Sequence, residues 1–168
     1  MQLSSILILL TALTAAGVNG ADIFRTTENS CGGSKIGCKG VQEGRCCLFS
    51  KPVSEVLFTL PADSRGFAYT DNDCEGGSIF FRAAVKGTFC RHFNRNINSA
   101  KWEVGAHDKQ TTLRSEDVKA TCSEPEYASF VKDDGTQREI NIPQGMSTKV
   151  EEWLEEGMID LLDQLEDY

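Results

Sequence analysis

Apolar residues recur in two different rhythms along this chain. Between residues 66 and 104 they come in short runs: GFAYTD, SIFFRAAV, TFCRHF and SAKWEV read as strands, with NDCEGG and KG as turns and NRNIN as a loop. In YASFVKDDGTQREINIP, Ile140 and Ile142 alternate with polar neighbours after an Asp134-Gly135 pair, which predicts a β-hairpin. Beyond it the rhythm changes. Val150, Trp153, Leu154, Met158, Leu161, Leu162 and Leu165 fall on one face at helical spacing, and Thr148 with Glu151 reads as a capping box. The opposite face is almost wholly acidic, and Gly157 interrupts the stripe, marking either a close approach or a weak point. The helix is expected to pack on the β part; a detachable helix that docks in a partner's groove is the functional alternative.

The strand pattern is written twice. An ungapped comparison of Ile23–Cys47 with Gly66–Cys90 matches Phe24 with Phe67, Thr27 with Thr70, Asn29 with Asn72 and Cys31 with Cys74. Gly33 with Gly76, Ile36 with Ile79, Gly44 with Gly87 and Cys47 with Cys90 follow. These identities fall on Cys, Gly and aromatic positions that fix backbone geometry. One inserted residue after Cys47 restores the register, placing Val53 on Ile97 and Phe58 on Trp102. The fold expected is therefore mostly β: a β-sandwich from two duplicated Greek-key units, about 22–61 and 65–105, followed over 106–168 by the hairpin and the acidic amphipathic α-helix.

The second unit resembles a βγ-crystallin Greek-key motif, marked by an aromatic, six residues and a Gly, then an Asn/Asp-rich loop leading into a Ser-initiated strand. Tyr69-Thr-Asp-Asn-Asp-Cys-Glu-Gly76 carries the first part and Asn94-Arg-Asn-Ile-Asn-Ser99 the second. Cys74 replaces the usual second aromatic, and Thr26 stands for the tyrosine in the first unit. The resemblance implies a loop that can hold calcium, with Asn94 and Ser99 as the candidate ligands. The same loop puts Arg95 at the second ligand position, and the first unit has Ser50-Lys-Pro-Val-Ser-Glu55 there, so calcium is expected to bind weakly or not at all. The overall layout is also similar to small secreted cysteine-rich proteins of fungi, many of them antimicrobial, toxin-like or host-directed effectors.

The first 20 residues hold no charge, an apolar run from Ile6 to Leu13, and Val18 and Gly20 before a small-residue junction, which reads as a secretory signal peptide. The run is shorter than the ~20 residues of a membrane span. An oxidising destination lets Cys31, Cys38, Cys46, Cys47, Cys74, Cys90 and Cys122 form disulfides. Symmetry of the repeat joins Cys31 to Cys47 and Cys74 to Cys90. Cys38 and Cys46 fall where the second unit has Phe81 and Phe89, and pair if those rings touch; strand parity agrees, since Cys46 and Cys47 point to opposite faces. Cys122 is then left over and offers a route to a dimer; the rival scheme ties it to Cys38 or Cys46. A thiolate metal site is disfavoured, because there is no CxxC pair and only His92 and His107 as histidines.

The net charge of −8 is concentrated at the end of the chain, where Ser147–Tyr168 holds eight acids and one Lys. The remainder is close to neutral, which argues against nucleic-acid binding, and anionic lipid would repel the helix. A secreted ribonuclease would need two acid/base groups and a phosphate-holding cation, for which His92, His107 and Arg91 are the available set. No G-x-S-x-G, H-E-x-x-H or phosphate-cradling loop is present, and no cofactor is implied. The expectation is a secreted, disulfide-stabilised, non-catalytic protein, effector-like or antimicrobial, binding an extracellular protein, glycan or cell-surface target. A structural or calcium-binding matrix protein is the alternative, and a ribonuclease the second.

Overall fold

The structure, a computed structural model, describes residues 20–105 and 122–167. The signal-peptide reading and His107 fall outside the described residues. Eight strands form one hydrogen-bonded antiparallel sheet: β1 (Ala21–Thr26), β2 (Lys35–Val41), β3 (Cys46–Leu60), β4 (Ser64–Tyr69), β5 (Ser78–Ala83), β6 (Gly87–Val104), β7 (Tyr127–Val131) and β8 (Gln137–Asn141), in the order β5-β4-β6-β3-β1-β2-β7-β8. The chain is mostly β, with a small helical part at its C-terminal end.

Two strands are much longer than the sequence suggests. The segment NRNIN, expected as a loop, lies inside β6. β3 and β6 pair through two separate stretches, Cys46–Leu48 against Ser99–Lys101 and Glu55–Leu60 against Gly87–His92, with shifts of register between Leu48, Val53 and Glu55. Such irregularities bend a strand while letting its pairing resume. Phe93 and Ile97 anchor the bend because both are buried. A polar run reads as a loop only when nothing holds it, and these two side chains do.

The bend also explains the disulfides, which differ from the expected set. Cys31 joins Cys90, Cys46 joins Cys74, and Cys38 joins Cys47. The pair Phe24 opposite Gly37 recurs as Phe67 opposite Phe80, in the register of the ungapped alignment. Cys46 stands opposite Lys101 and Cys90 opposite Leu57, which match only if the inserted residue precedes Cys46 instead of following Cys47. By this register Cys46, not Cys47, takes the place in β3 that Cys90 takes in β6. The start of β3 pairs with the end of β6, and the start of β6 with the end of β3, so Cys46 at the start of β3 meets Cys74 of the turn before β5, and Cys90 near the start of β6 meets Cys31 of the turn before β2. Cys47 then points to the opposite face and closes on Cys38. Phe81 and Phe89 do touch, at 5.7 Å between centroids, but the one-residue slip puts Arg91 at the place of Cys47, where its guanidinium lies 4.4 Å over the Phe81 ring.

The main core gathers Ile23, Val56, Phe58, Leu60, Ala68, Ile97, Ala100 and Trp102 around the Cys38–Cys47 bridge. The indole of Trp102 donates to the Val41 carbonyl at 2.7 Å. At Gly37 the β1 backbone comes so close that a Cβ would lie 2.1 Å from the Ile23 carbonyl oxygen and 2.8 Å from the Phe24 Cα. Gly37→Ala should therefore lower stability by about 1–3 kcal/mol in urea unfolding, the usual cost of overpacking, whereas Gly44→Ala, with open space at its Cβ, acts only through its positive φ of 73°.

The C-terminal part extends the same sheet. Gly37 stands opposite Tyr127 and Lys35 opposite Ser129, and Gly135 makes the β7–β8 turn at φ 82°. The single expected helix is two short ones, α1 (Ser147–Glu155) and α2 (Ile159–Asp163). Gly157 ends the first in the left-handed region at φ 70°, and the Met158 amide closes back on the Trp153 carbonyl at 2.8 Å. The capping box is absent: Met146 is the N-cap, without a side-chain bond. Glu151 is buried instead and forms an ion pair with the buried Arg25 of β1. Val150, Leu154, Leu162 and Leu165 pack on Ile36, Ala128, Phe130, Ile140 and Ile142, so the helices cover one end of the sheet. Met158, counted in the apolar stripe, is 44% exposed.

Candidate functional site

The segment that holds the two calcium candidates, Asn94 and Ser99, where only weak binding or none is expected, is organised around Ser99. Its buried hydroxyl donates to the Asp71 carbonyl at 2.5 Å and accepts from the Cys74 amide at 3.1 Å. Asn98 donates to the Thr70 carbonyl beside it. Ser99 thereby fastens the 71–74 turn to β6, while Asn94 lies exposed at the bend of the strand. A candidate ligand whose oxygen is already engaged twice is poorly placed to turn towards a cation. Calcium titrated into the mature protein should give no micromolar binding; a micromolar Kd lost in Asn94→Ala would overturn that expectation.

The ribonuclease set is not brought together at its one testable corner. Arg91 and His92 are neighbours on β6 and point to opposite faces, Arg91 over the rings of Phe81 and Phe89, His92 towards Glu55. His92 Nδ1 lies 3.2 Å from Glu55 Oε1, and Glu55 Oε2 accepts the Cys31 amide at 3.0 Å. That amide first, helped by His92, holds the Glu55 carboxyl below its ordinary value. The pair fixes the Cys31 turn against β6 beside the Cys31–Cys90 bridge.

Two groupings were not visible in the linear sequence. One is made of sulfur: Cys46, Cys74 and the half-buried Cys122 place their sulfurs within 4.8 Å of one another. Tyr69 is buried in the same cluster, with Phe67 packed against it. Burial first, then the charges of Asp73 and Glu75, push the Cys122 thiol above its ordinary value.

The other grouping is the face of β5, β4 and β6 that carries Phe80. Arg82, Arg65 and Glu103 form one row across the three strands, and Phe80, Phe67 and Lys101 the next. Phe80 is 60% exposed, although its ring contacts Phe67 at 5.8 Å. The Arg65 guanidinium lies 5.4 Å over the Phe67 ring, and the Lys101 ammonium 5.6 Å from that of Tyr69. Glu103 pairs with Lys101 at 3.1 Å and with Arg65 at 3.7 Å, leaving Arg82 as the outermost cation of the face. Burial alone would lower the Lys101 pKa, but the Glu103 bond and the field of Tyr69 outweigh it and raise the value. The signal in the sequence is the adjacent pair Phe80-Phe81: on a strand one of two neighbouring rings must face away from the core. Phe81 turns inward, 5.1 Å from Phe58, and Phe80 outward.

A disulfide-stapled β protein with a small helical appendage is the class defined by these features. The chain belongs to the ARB_05566_N family, described as an N-terminal domain, and the match spans residues 22–126. No curated protein and no solved structure matches it. Among the described residues no helix is long and apolar enough to cross a membrane.

Proposed function

We propose that this is a secreted, non-catalytic binding protein, effector-like or antimicrobial, that engages an extracellular target through the outer face of β4, β5 and β6. The observation that carries the reading is the exposure of Phe80 at 60% on a platform with Phe67, ringed by Arg65, Arg82 and Lys101. An exposed aromatic flanked by cations is the composition of an interface centre, where aromatic and Arg side chains dominate binding energy. Three disulfides support an oxidising destination. On this reading the scaffold is a pair of Greek-key units forming a two-layer sandwich that resembles the βγ-crystallin motif. In support, the units exchange their third strands at the bend of β3 and β6, and the counterpart cysteines Cys31 and Cys74 share a left-handed backbone at φ 54°.

The test is binding of the oxidised mature protein to a panel of extracellular polysaccharides, intact microbial cells and host-cell surfaces, alongside the double variant Phe80→Ser, Arg82→Glu. Both positions are exposed, so the variant should keep its unfolding midpoint and lose at least about ten-fold in affinity for the target the wild type selects. Equal binding by the two proteins would move the interface elsewhere.

A further inference from the structure

The outer face of β4, β5 and β6 sets three cations and one carboxylate, Arg65, Arg82, Lys101 and Glu103, around Phe67 and Phe80, a balance of +2 on a chain whose net charge is −8. Arg65 and Arg82 stand directly opposite each other on neighbouring strands. Like charges in that position repel, which costs stability unless an anion is shared between them. Glu103 does not supply it. It stands on the far side of Arg65, 3.7 Å from that guanidinium and 3.1 Å from Lys101, and among the described residues no carboxylate pairs with Arg82. Arg65 Nε is buried without a hydrogen-bond partner. We propose that this face binds a polysaccharide bearing uronic acid units, with one carboxylate seated between Arg65 and Arg82 and the C–H face of a sugar ring laid on Phe80. Such a ligand rests on the reading of this face as the interface and gives that interface its chemistry.

A guanidinium offers its N–H donors as a planar fork that matches the two oxygens of a carboxylate, and it stays charged at any working pH. Phe80 supplies the second contact. Its ring is 60% exposed and is braced by Phe67 at 5.8 Å between centroids. The negative face of an aromatic ring attracts the weakly positive C–H bonds of a sugar. Arg82 and Phe80 are two residues apart on β5, so their side chains leave the same face roughly 7 Å apart, at about 3.4 Å per residue. A carboxylate and the ring of its own or the adjoining unit can therefore be met together. The other end of the hairpin sets a limit on charge. Asp71, Asp73 and Glu75 are exposed in the turn that joins β4 to β5, at the end of the strands remote from Arg65 and Arg82. They repel further anions there, which disfavours a phosphate backbone or a heavily sulfated chain and favours carboxylates held apart by sugar rings.

Affinity for three uronate polymers, polygalacturonate, alginate and hyaluronate, decides it. Binding is measured by calorimetry on the oxidised mature protein in about 0.15 M salt, where exposed charges further apart than about 8 Å are largely screened. At least one polymer should bind, and its methyl-esterified form, which keeps the backbone and loses the charge, should bind at least about ten-fold more weakly. Arg82→Gln should lose a similar factor on the acid form and none on the methyl ester, whereas Phe80→Ser should weaken both. Both side chains are exposed, so both variants should keep the wild-type unfolding midpoint. No binding to any of the three polymers overturns the proposal; if the wild type meanwhile selects another target through Phe80 and Arg82, the interface stands without this chemistry. Uronate binding that neither variant weakens lies elsewhere on the protein and overturns it as well. Tighter binding of dextran sulfate or of single-stranded RNA than of every uronate polymer would assign the face to a different polyanion.

Discussion

Glu151→Ala should destabilise the protein by about 3–5 kcal/mol, the range for removing one partner of a buried ion pair. Glu151 is fully buried and Arg25 is 6% exposed, so the variant leaves a guanidinium at the sheet–helix junction facing a cavity in place of a carboxylate. Glu155 would remain 2.8 Å from Arg25, but that carboxylate also serves Lys51 at 2.8 Å and is over a third exposed. The double variant Arg25→Met, Glu151→Leu removes both charges together and should recover most of the loss, because it abandons neither partner. Urea unfolding followed by far-ultraviolet circular dichroism distinguishes the two. A cost below about 1 kcal/mol for Glu151→Ala would mean that the pair behaves like a surface salt bridge.

The same clasp predicts a direction with pH. Lys51 first and Arg25 second hold the Glu155 carboxyl below its ordinary 4.5. A depressed carboxyl contributes its stabilisation above the ordinary value, and the contribution is lost as pH falls through the lower folded value. The helical end should loosen in acid before the Cys38–Cys47 core does, which hydrogen exchange at α1 against β3 would record. Greater protection of α1 at low pH than at neutral pH would contradict this.

What could be read beforehand divides along physical lines. Alternation and turn chemistry are local, so the hairpin about Asp134-Gly135 and the strand at Ser78–Ala83 were legible from sequence. Third-strand register is not local. The one-residue slip at Cys46 is invisible to an ungapped comparison that finds Gly44 on Gly87 and Cys47 on Cys90, yet it re-routes all three bridges. Glu151 shows a second limit: a carboxylate at helical spacing reads as a cap or a solvated face until Arg25, 126 residues earlier on another strand, is known to be its neighbour. Phe80 shows a third. Its parity was available in SIFFRA, but which of two adjacent rings faces water depends on what covers the sheet.

The bridges should also differ in worth, and in an order set by the loops they close. Cys31–Cys90 spans 59 residues of sequence, Cys46–Cys74 spans 28, and Cys38–Cys47 only 9. Loop-closure entropy in the unfolded chain gives about 4 kcal/mol for the first and about 3 kcal/mol for the last. Cys31 and Cys90 are partly or fully exposed, so replacing both by Ser leaves little buried polarity behind and the loss should stay near the entropic figure. Cys38 and Cys47 are buried at 1% and 0%, so two serines there would put hydroxyls into the apolar core, adding about 1–3 kcal/mol for each one left without a partner. Replacing the same pair by Ala and Val keeps the site apolar and isolates the bridge itself. Unfolding midpoints of the three double variants therefore have a defined order: Cys38→Ser, Cys47→Ser lowest, Cys31→Ser, Cys90→Ser next, and Cys38→Ala, Cys47→Val highest. If the serine pair at Cys38 and Cys47 instead proved the mildest of the three, Cys38 and Cys47 would not occupy the dry centre between β2 and β3, and the one-residue slip that places them there would be wrong.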